Sequence, residues 1–146
     1  MIRYLDTSFL APLIREETMS IPVTQFVAGL PPGELAISRW TEVEVASLLA
    51  RDVRMGAIER GEARRADMLF GDLVRQSFIV LSPDSGDYDL ARRYLHTYES
   101  RLRAGDALHL AIAANCRADF IHSFDKTMVS AGKLLGLPMI GGIGQD

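Results

Sequence analysis

Four carboxylates in this sequence are placed so that they could converge on a divalent cation. Asp6 follows the run IRYL, and Asp125 stands two residues after FIHS. Glu44 lies early in TEVEVASLLARDV, and Asp106 directly precedes ALHLAIAANC. Gathered at short range, such acids raise one another's pKa unless a cation compensates them. An all-oxygen donor set without Cys or His selects Mg²⁺ or Mn²⁺ over Zn²⁺. One or two such ions activate water and neutralise the charge that builds on a phosphodiester, with two-metal sites spaced about 4 Å apart. The acids then serve as metal holders, and one of them can also position or deprotonate the water.

Each acid also has a plain structural explanation. Asp106 at a helix N-terminus is a favoured cap. Glu44 stands three residues after Thr41, a capping-box spacing. Asp6, before Thr7 and Ser8, fits an Asx-type turn, and Asp125 resembles it in this respect. Glu42 competes with Glu44, which the spacing from Thr41 and the apolar sequel favour. The hydroxyls of Thr7, Ser8, Thr41 and Ser123 either support the acids or cap the elements that follow. His109 shares a helix face with Asp106, but its apolar neighbours favour a buried, hydrogen-bonded imidazole. His96 and His122 have no motif around them. Arg92, Arg93, Arg101 and Arg103 either guide a polyanion or solvate a helix. Trp40, Met55, Met68 and Leu69 either form a groove or oligomer surface or pack into the core.

The elements that must hold these residues can be read from the apolar pattern. IRYLD, ELAIS, SFIVL and DFIHS read as strands, with LPMI a last edge strand. Helical segments are expected over FLAPLIREE, with Pro12 limiting where its regular part starts, and over TQFVAGL, ended by Gly29. Further helices are expected over TEVEVASLLARDV and over EARRADMLFGDLVRQ, which Gly71 weakens. Residues 84 to 101 keep a helical spacing, ALHLAIAANC predicts a central buried helix, and KTMVSAGKLLG a final one ended by Gly136. Cys116, the single cysteine, excludes a disulfide within the chain and reads as a small buried hydrophobe. The tail GGIGQD reads as loose chain, because it lacks the Lys-Ser/Thr pair and following helix of a phosphate loop. Strands alternating with helices predict a parallel sheet covered on both faces, with ligands at the strands' C-terminal ends.

The whole composition is compatible with this. At 146 residues, 48% hydrophobic and 24% charged, one soluble domain spanning 1–146 is expected. The net charge of −3 argues against holding nucleic acid by bulk electrostatics, but a carboxylate cluster adds acid and recruits phosphate through its metal. The longest apolar runs fall short of the roughly 20 residues that cross a bilayer. MIRYLDTS offers no apolar stretch for a signal peptide, so a cytoplasmic location is expected, without membrane contact.

Taken together, YLDTS at 4 to 8, SRWTEVEVASLLAR at 38 to 51, AGDALHLAIA at 104 to 113, and FIHSFDKTM with AGKLLGL at 120 to 137 resemble the PIN-domain family. The likeness runs over essentially the whole chain and is closest to the VapC-type ribonuclease toxins of toxin-antitoxin pairs. It implies a three-layer α/β/α sandwich with a mostly parallel sheet, and a Mg²⁺- or Mn²⁺-dependent endoribonuclease. It also implies a cognate antitoxin that obstructs the active site, and a homodimer. Asp6, Glu44, Asp106 and Asp125 match the family's four acids. Ser123 replaces a Thr common two residues before the last acid, and Phe124 makes that turn bulkier. An inactive PIN-like fold kept for RNA binding or scaffolding is the alternative, which the presence of all four acids disfavours. A phosphatase or response-regulator-like domain would want a lysine near the last strand, whereas Lys133 sits in a helical run.

Overall fold

The computed structural model describes residues 1–144. Five short strands form one sheet in the order β3-β2-β1-β4-β5, and every neighbouring pair is parallel. They are β1 (Arg3–Leu5), β2 (Leu35–Ser38), β3 (Phe78–Leu81), β4 (Phe120–Ser123) and β5 (Met139–Gly141). Between them run α1 (Thr7–Ile14), α2 (Ser20–Ala28), α3 (Arg39–Arg54), α4 (Arg60–Ser77), α5 (Ser85–Leu95), α6 (Ala104–Asn115) and α7 (Lys126–Leu134). A 3-10 turn over Tyr98–Ser100 precedes α6.

Side chains alternate across the pleat, so each strand feeds two cores. Tyr4 and Ile121 pack with α5, α6 and α7, while Leu5, Leu35 and Ile37 pack with α1 to α4. The result is the expected three-layer α/β/α sandwich. Helix α6 is buried continuously from Ala107 to Ala113, as its all-round apolar sequence requires. Gly132 of α7 lets β5 approach: a Cβ there would collide with Sδ and Cγ of Met139.

From β1 the chain winds outward through β2 to β3, then crosses back to place β4 on the other side of β1. The C-terminal ends of β1 and β4 therefore flank a switch point, where open α/β sheets bind ligands. Asp6 follows β1 directly, and Asp125 follows β4 by two residues.

Several local expectations are corrected. Pro12 does not delay α1, which starts at Thr7; the ring is itself buried inside the helix. Cys116 is half-buried, because α6 ends at Asn115 and leaves the thiol on its C-terminal boundary, where it donates to the Ala113 carbonyl. The described part of the tail is tied down: the Gly142 N–H donates to the Ser123 carbonyl at 2.7 Å, and Gly142 O accepts from His122 Nδ1 at 2.8 Å. The tail's remaining residues, Gln145 and Asp146, lie outside the described residues. His122 also faces an Arg3 guanidinium nitrogen at 3.2 Å. A carbonyl only accepts and a guanidinium only donates, so the ring is neutral with its proton on Nδ1. Burial, with Arg3 nearby, lowers its pKa accordingly. Met55, Met68 and Leu69 are exposed rather than packed in the core. No helix among the described residues is long and apolar enough to cross a membrane.

Candidate active site

Three of the four acids line one cleft of about 880 Å³ at the C-terminal rim of the sheet: Glu44, Asp106 and Asp125. Trp40, Gly105, Thr127, Arg51, Arg101 and Arg103 complete its walls. Asp6 lies behind this surface and is 3% exposed.

Local folding overturns the capping explanation for Glu44 and Asp106 and bears it out for Asp6 and Asp125. Helix α3 starts at Arg39 and is capped by Ser38, whose Oγ accepts from the Thr41 N–H while Thr41 Oγ1 accepts from the Ser38 N–H. The capping box is thus Ser38 with Thr41, and Glu44, a turn further on, caps nothing. Thr41 supports the helix start and makes no bond to Glu44. Asp106 is likewise no cap: α6 begins at Ala104 after Arg103, with no side-chain cap bond. Asp6 and Asp125 do cap, holding the N–H of Phe9 at 3.0 Å and those of Thr127 and Met128 at 2.9 and 3.2 Å. Glu42 pairs with Arg39 on the helix surface and leaves the cleft to Glu44.

Asp6 is fully engaged. Ser8 Oγ donates to it at 2.8 Å, and Ser123 Oγ donates to Oδ2 at 2.6 Å. Burial pushes its pKa up, opposed by the positive potential of His109 and by these hydroxyl and amide donors. Ser8 also accepts the Phe124 N–H at 2.9 Å, and Phe124 stacks on Phe9 with ring centroids 5.6 Å apart. The bulky residue after Ser123 therefore anchors the β4–α7 turn to α1. Ser123 Oγ then accepts the N–H of Asp125 at 3.0 Å, which couples the two acids through one hydroxyl.

Glu44 is held on one side only. Thr7 Oγ1 donates to Oε1 at 2.8 Å, and His109 Nε2 donates to the same oxygen. His109 is 1% exposed, and its Nδ1 lies 2.8 Å from the Tyr4 hydroxyl, itself 3.1 Å from Ser38 Oγ. Burial alone would raise the Glu44 pKa; the bond and charge of His109, with Thr7, outweigh it and hold the carboxyl below its ordinary value. The buried, hydrogen-bonded histidine expected at 109 thus serves an acid of the cleft. Tyr4 stands behind it in the relay, a residue that reads in sequence only as a core aromatic.

The oxygens left over are those a cation would need. Glu44 Oε2, Asp125 Oδ2 and both oxygens of Asp106 accept no hydrogen bond among the described residues. Burial, then repulsion from Asp125, Glu44 and Asp6, pushes the Asp106 pKa up to about 6, with His109 opposing. Unneutralised carboxylates facing one another are the environment that a hard divalent ion relieves. As they stand, no three Asp, Glu, His or Cys side chains among the described residues are gathered tightly enough to hold an ion. Two of the acids keep one oxygen in capping or supporting bonds, and Asp6 keeps both.

Arg101 and Arg103 line the cleft, whereas Arg92 and Arg93 lie exposed on α5 outside it. Arg51 was not singled out by sequence reasoning, although its position seven residues after Glu44 puts it on the same helix face. Trp40 belongs to the cleft and not with Met55, Met68 and Leu69.

Comparison with known proteins bears on the family and the fold. The PIN domain family model matches residues 3–134. The fold is similar to that of Mycobacterium tuberculosis VapC20, described as a sarcin-ricin loop cleaving toxin, at 20% identity and TM-score 0.71 over 89% of this chain and 95% of that one. VapBC2 from Rickettsia felis, bound to a DNA fragment from its promoter, matches at 11% identity and TM-score 0.70 over 100% of both chains. VapBC-1 from nontypeable Haemophilus influenzae matches at 18% identity and TM-score 0.66 over 95% and 96%. At these identities the likeness is one of fold. A search of curated protein sequences finds no significant match.

Proposed function

The chain belongs to the PIN domain family, and on that premise we propose that it is a divalent-metal-dependent endoribonuclease, the toxin of a toxin-antitoxin pair. The observation that carries this reading is the cleft: half-buried acids from α3, α6 and the β4–α7 turn line one space together with three arginines. We take residues 1–146 as a single domain acting on cytoplasmic RNA.

In this reading Glu44, Asp106 and Asp125 hold Mg²⁺ or Mn²⁺, with Asp6 as the fourth acid. When bound, the ion supplies Lewis acidity and lowers the pKa of water. Glu44 is oriented by Thr7 and His109 so that Oε2 faces outward. Asp106 has no bond of its own to break before it ligates. Asp6 requires its serine hydroxyls to turn, or acts through them on Asp125. Arg51, Arg101 and Arg103 bind phosphates and position the RNA chain over the acids. A cognate antitoxin fits the VapBC assemblies among the structural relatives. Exposed Met55, Met68 and Leu69 supply apolar surface for a homodimer.

The test is cleavage of a mixed RNA pool by purified, antitoxin-free protein with Mg²⁺ or Mn²⁺, beside EDTA and Asp106→Asn controls, read by end sequencing. Metal-dependent cuts missing from the variant are expected. No cuts, together with no change in melting temperature on adding either ion, would overturn the nuclease reading in favour of a non-catalytic module.

A further inference from the structure

Trp40 is the only tryptophan in the chain; part of its ring packs against the core beside α6, but that packing gives its indole nitrogen no partner. It is half-buried, the second residue of α3, on the wall of the acidic cleft. Its Nε1 is buried without a hydrogen-bond partner. An unpaired buried donor opposes folding, and a phenyl ring or a leucine would fill apolar space without it. Nothing polar inside the protein therefore calls for an indole here.

The edge of the ring packs against Gly105. A Cβ on Gly105 would stand 3.3 Å from Trp40 Cζ2 and 3.3 Å from Glu44 Oε2. The indole edge and the free oxygen of Glu44 thus lie against the same glycine, one residue before Asp106. Around them Arg51, Arg101 and Arg103 are exposed and enter no ion pair or side-chain hydrogen bond among the described residues. Arg101 also holds a left-handed backbone, φ 59°, which arginine adopts at a cost.

Resting on the nuclease reading, we propose that Trp40 is a stacking platform for one unpaired nucleobase beside the bond to be cut, with Arg51, Arg101 and Arg103 on the flanking phosphates. A flat aromatic wall next to unpaired guanidinium groups matches a single strand, which offers π-faces and anions at regular intervals. A paired base keeps its faces stacked on its neighbours, so the platform takes a base that stands unstacked in a single strand or loop. The platform is tolerant of base identity, since every base has a π-face; the arginines add the salt-dependent share of binding.

The sole tryptophan makes its own reporter. Full-length protein in EDTA is titrated with ten-nucleotide homopolymeric RNAs, single-stranded or annealed to their complements, while tryptophan fluorescence is followed. Quenching by single strands and little change with duplexes are expected. By anisotropy of a labelled oligonucleotide, Trp40→Ala binds roughly 5- to 150-fold more weakly, the range that loss of one base–aromatic stack gives. Trp40→Phe recovers much of that affinity and serves as the variant that keeps the fold if the alanine variant melts early. Arg103→Ala instead lowers the slope of log affinity against log salt by about 0.7. Binding and metal-dependent cleavage that leave Trp40 fluorescence unmoved, with Trp40→Ala as tight as wild type, would overturn the platform and leave the nuclease standing. Absence of any RNA binding would overturn both. A fluorescence change produced by an acidic antitoxin-derived peptide but by no oligonucleotide would assign the indole to a protein contact and overturn the platform.

Discussion

Replacing Asp106 with Asn removes one negative charge from a crowded rim at nearly constant volume. Burial and the neighbouring Asp125, Glu44 and Asp6 raise this carboxyl from its ordinary 3.8 to about 6. At about 1.36 kcal/mol for each pH unit, that difference is about 3 kcal/mol of destabilisation once the group is ionised. The cleft is open to water, and screening reduces the figure to about 1–2 kcal/mol. The sign follows from linkage: a carboxyl whose folded-state pKa is raised costs nothing below 3.8, where both states are protonated. The penalty enters as pH rises and is complete above about 6. In EDTA at about pH 7.5, Asp106→Asn is therefore expected to be more stable than wild type by about 1–2 kcal/mol, or about 2–8 °C in Tm. At about pH 4 most of that advantage disappears. Excess Mg²⁺ reverses the order, because ligand binding stabilises the intact site and not the variant. Urea unfolding at both pH values, with and without Mg²⁺, measures all three effects. A variant no more stable than wild type in EDTA near neutral pH would refute the repulsion on which the site argument rests, and unaltered RNA cleavage would refute the site.

Three other substitutions separate support, shape and packing. Tyr4→Phe leaves His109 Nδ1 without its buried partner, while Ser38 Oγ keeps Thr41, and is expected to cost about 1–2 kcal/mol in urea unfolding; cleavage should fall with it as Glu44 loses its backing, and full activity would show the relay to be idle. Gly105→Ala should leave stability within about 1 kcal/mol, since better helix propensity offsets a tight Cβ, yet reduce cleavage about tenfold or more by displacing Glu44 Oε2 and Trp40; an equally active variant would contradict the close fit. Gly132→Ala forces a methyl onto Met139 and should cost about 1–3 kcal/mol, read as a lower urea midpoint with unchanged cleavage per folded molecule.

Much of the architecture is legible in the sequence because parallel strands buried on both faces are short apolar runs, and YL, LAIS and FIHS stand out between helical spacings. Positions of the acids at element boundaries also point to the rim. The caps mislead for a physical reason: Ser38–Thr41 and Thr41–Glu44 share one spacing, and only the end of β2 decides which pair closes the helix. Cys116 is misplaced because an apolar run does not announce where its helix stops. Tyr4, Ser38 and His109 lie far apart in sequence and meet only through the sheet, so no local pattern announces their relay. Arg51 follows from helical periodicity, whereas the unpaired indole nitrogen of Trp40 is decided by tertiary packing alone.

The crossing from β3 back to β4 has a consequence for biosynthesis. Ser123 reaches Asp6 across 117 residues of chain, and Asp125 hangs from the same hydroxyl. A growing polypeptide that has folded β1, β2 and β3 has Asp6 and Glu44 but neither Asp125 nor the strand that fixes it. Contacts of such long range form late, after the segments they join are both made. The cluster is therefore assembled only as β4 inserts beside β1, so a chain that has not yet made β4 lacks the complete set of acids.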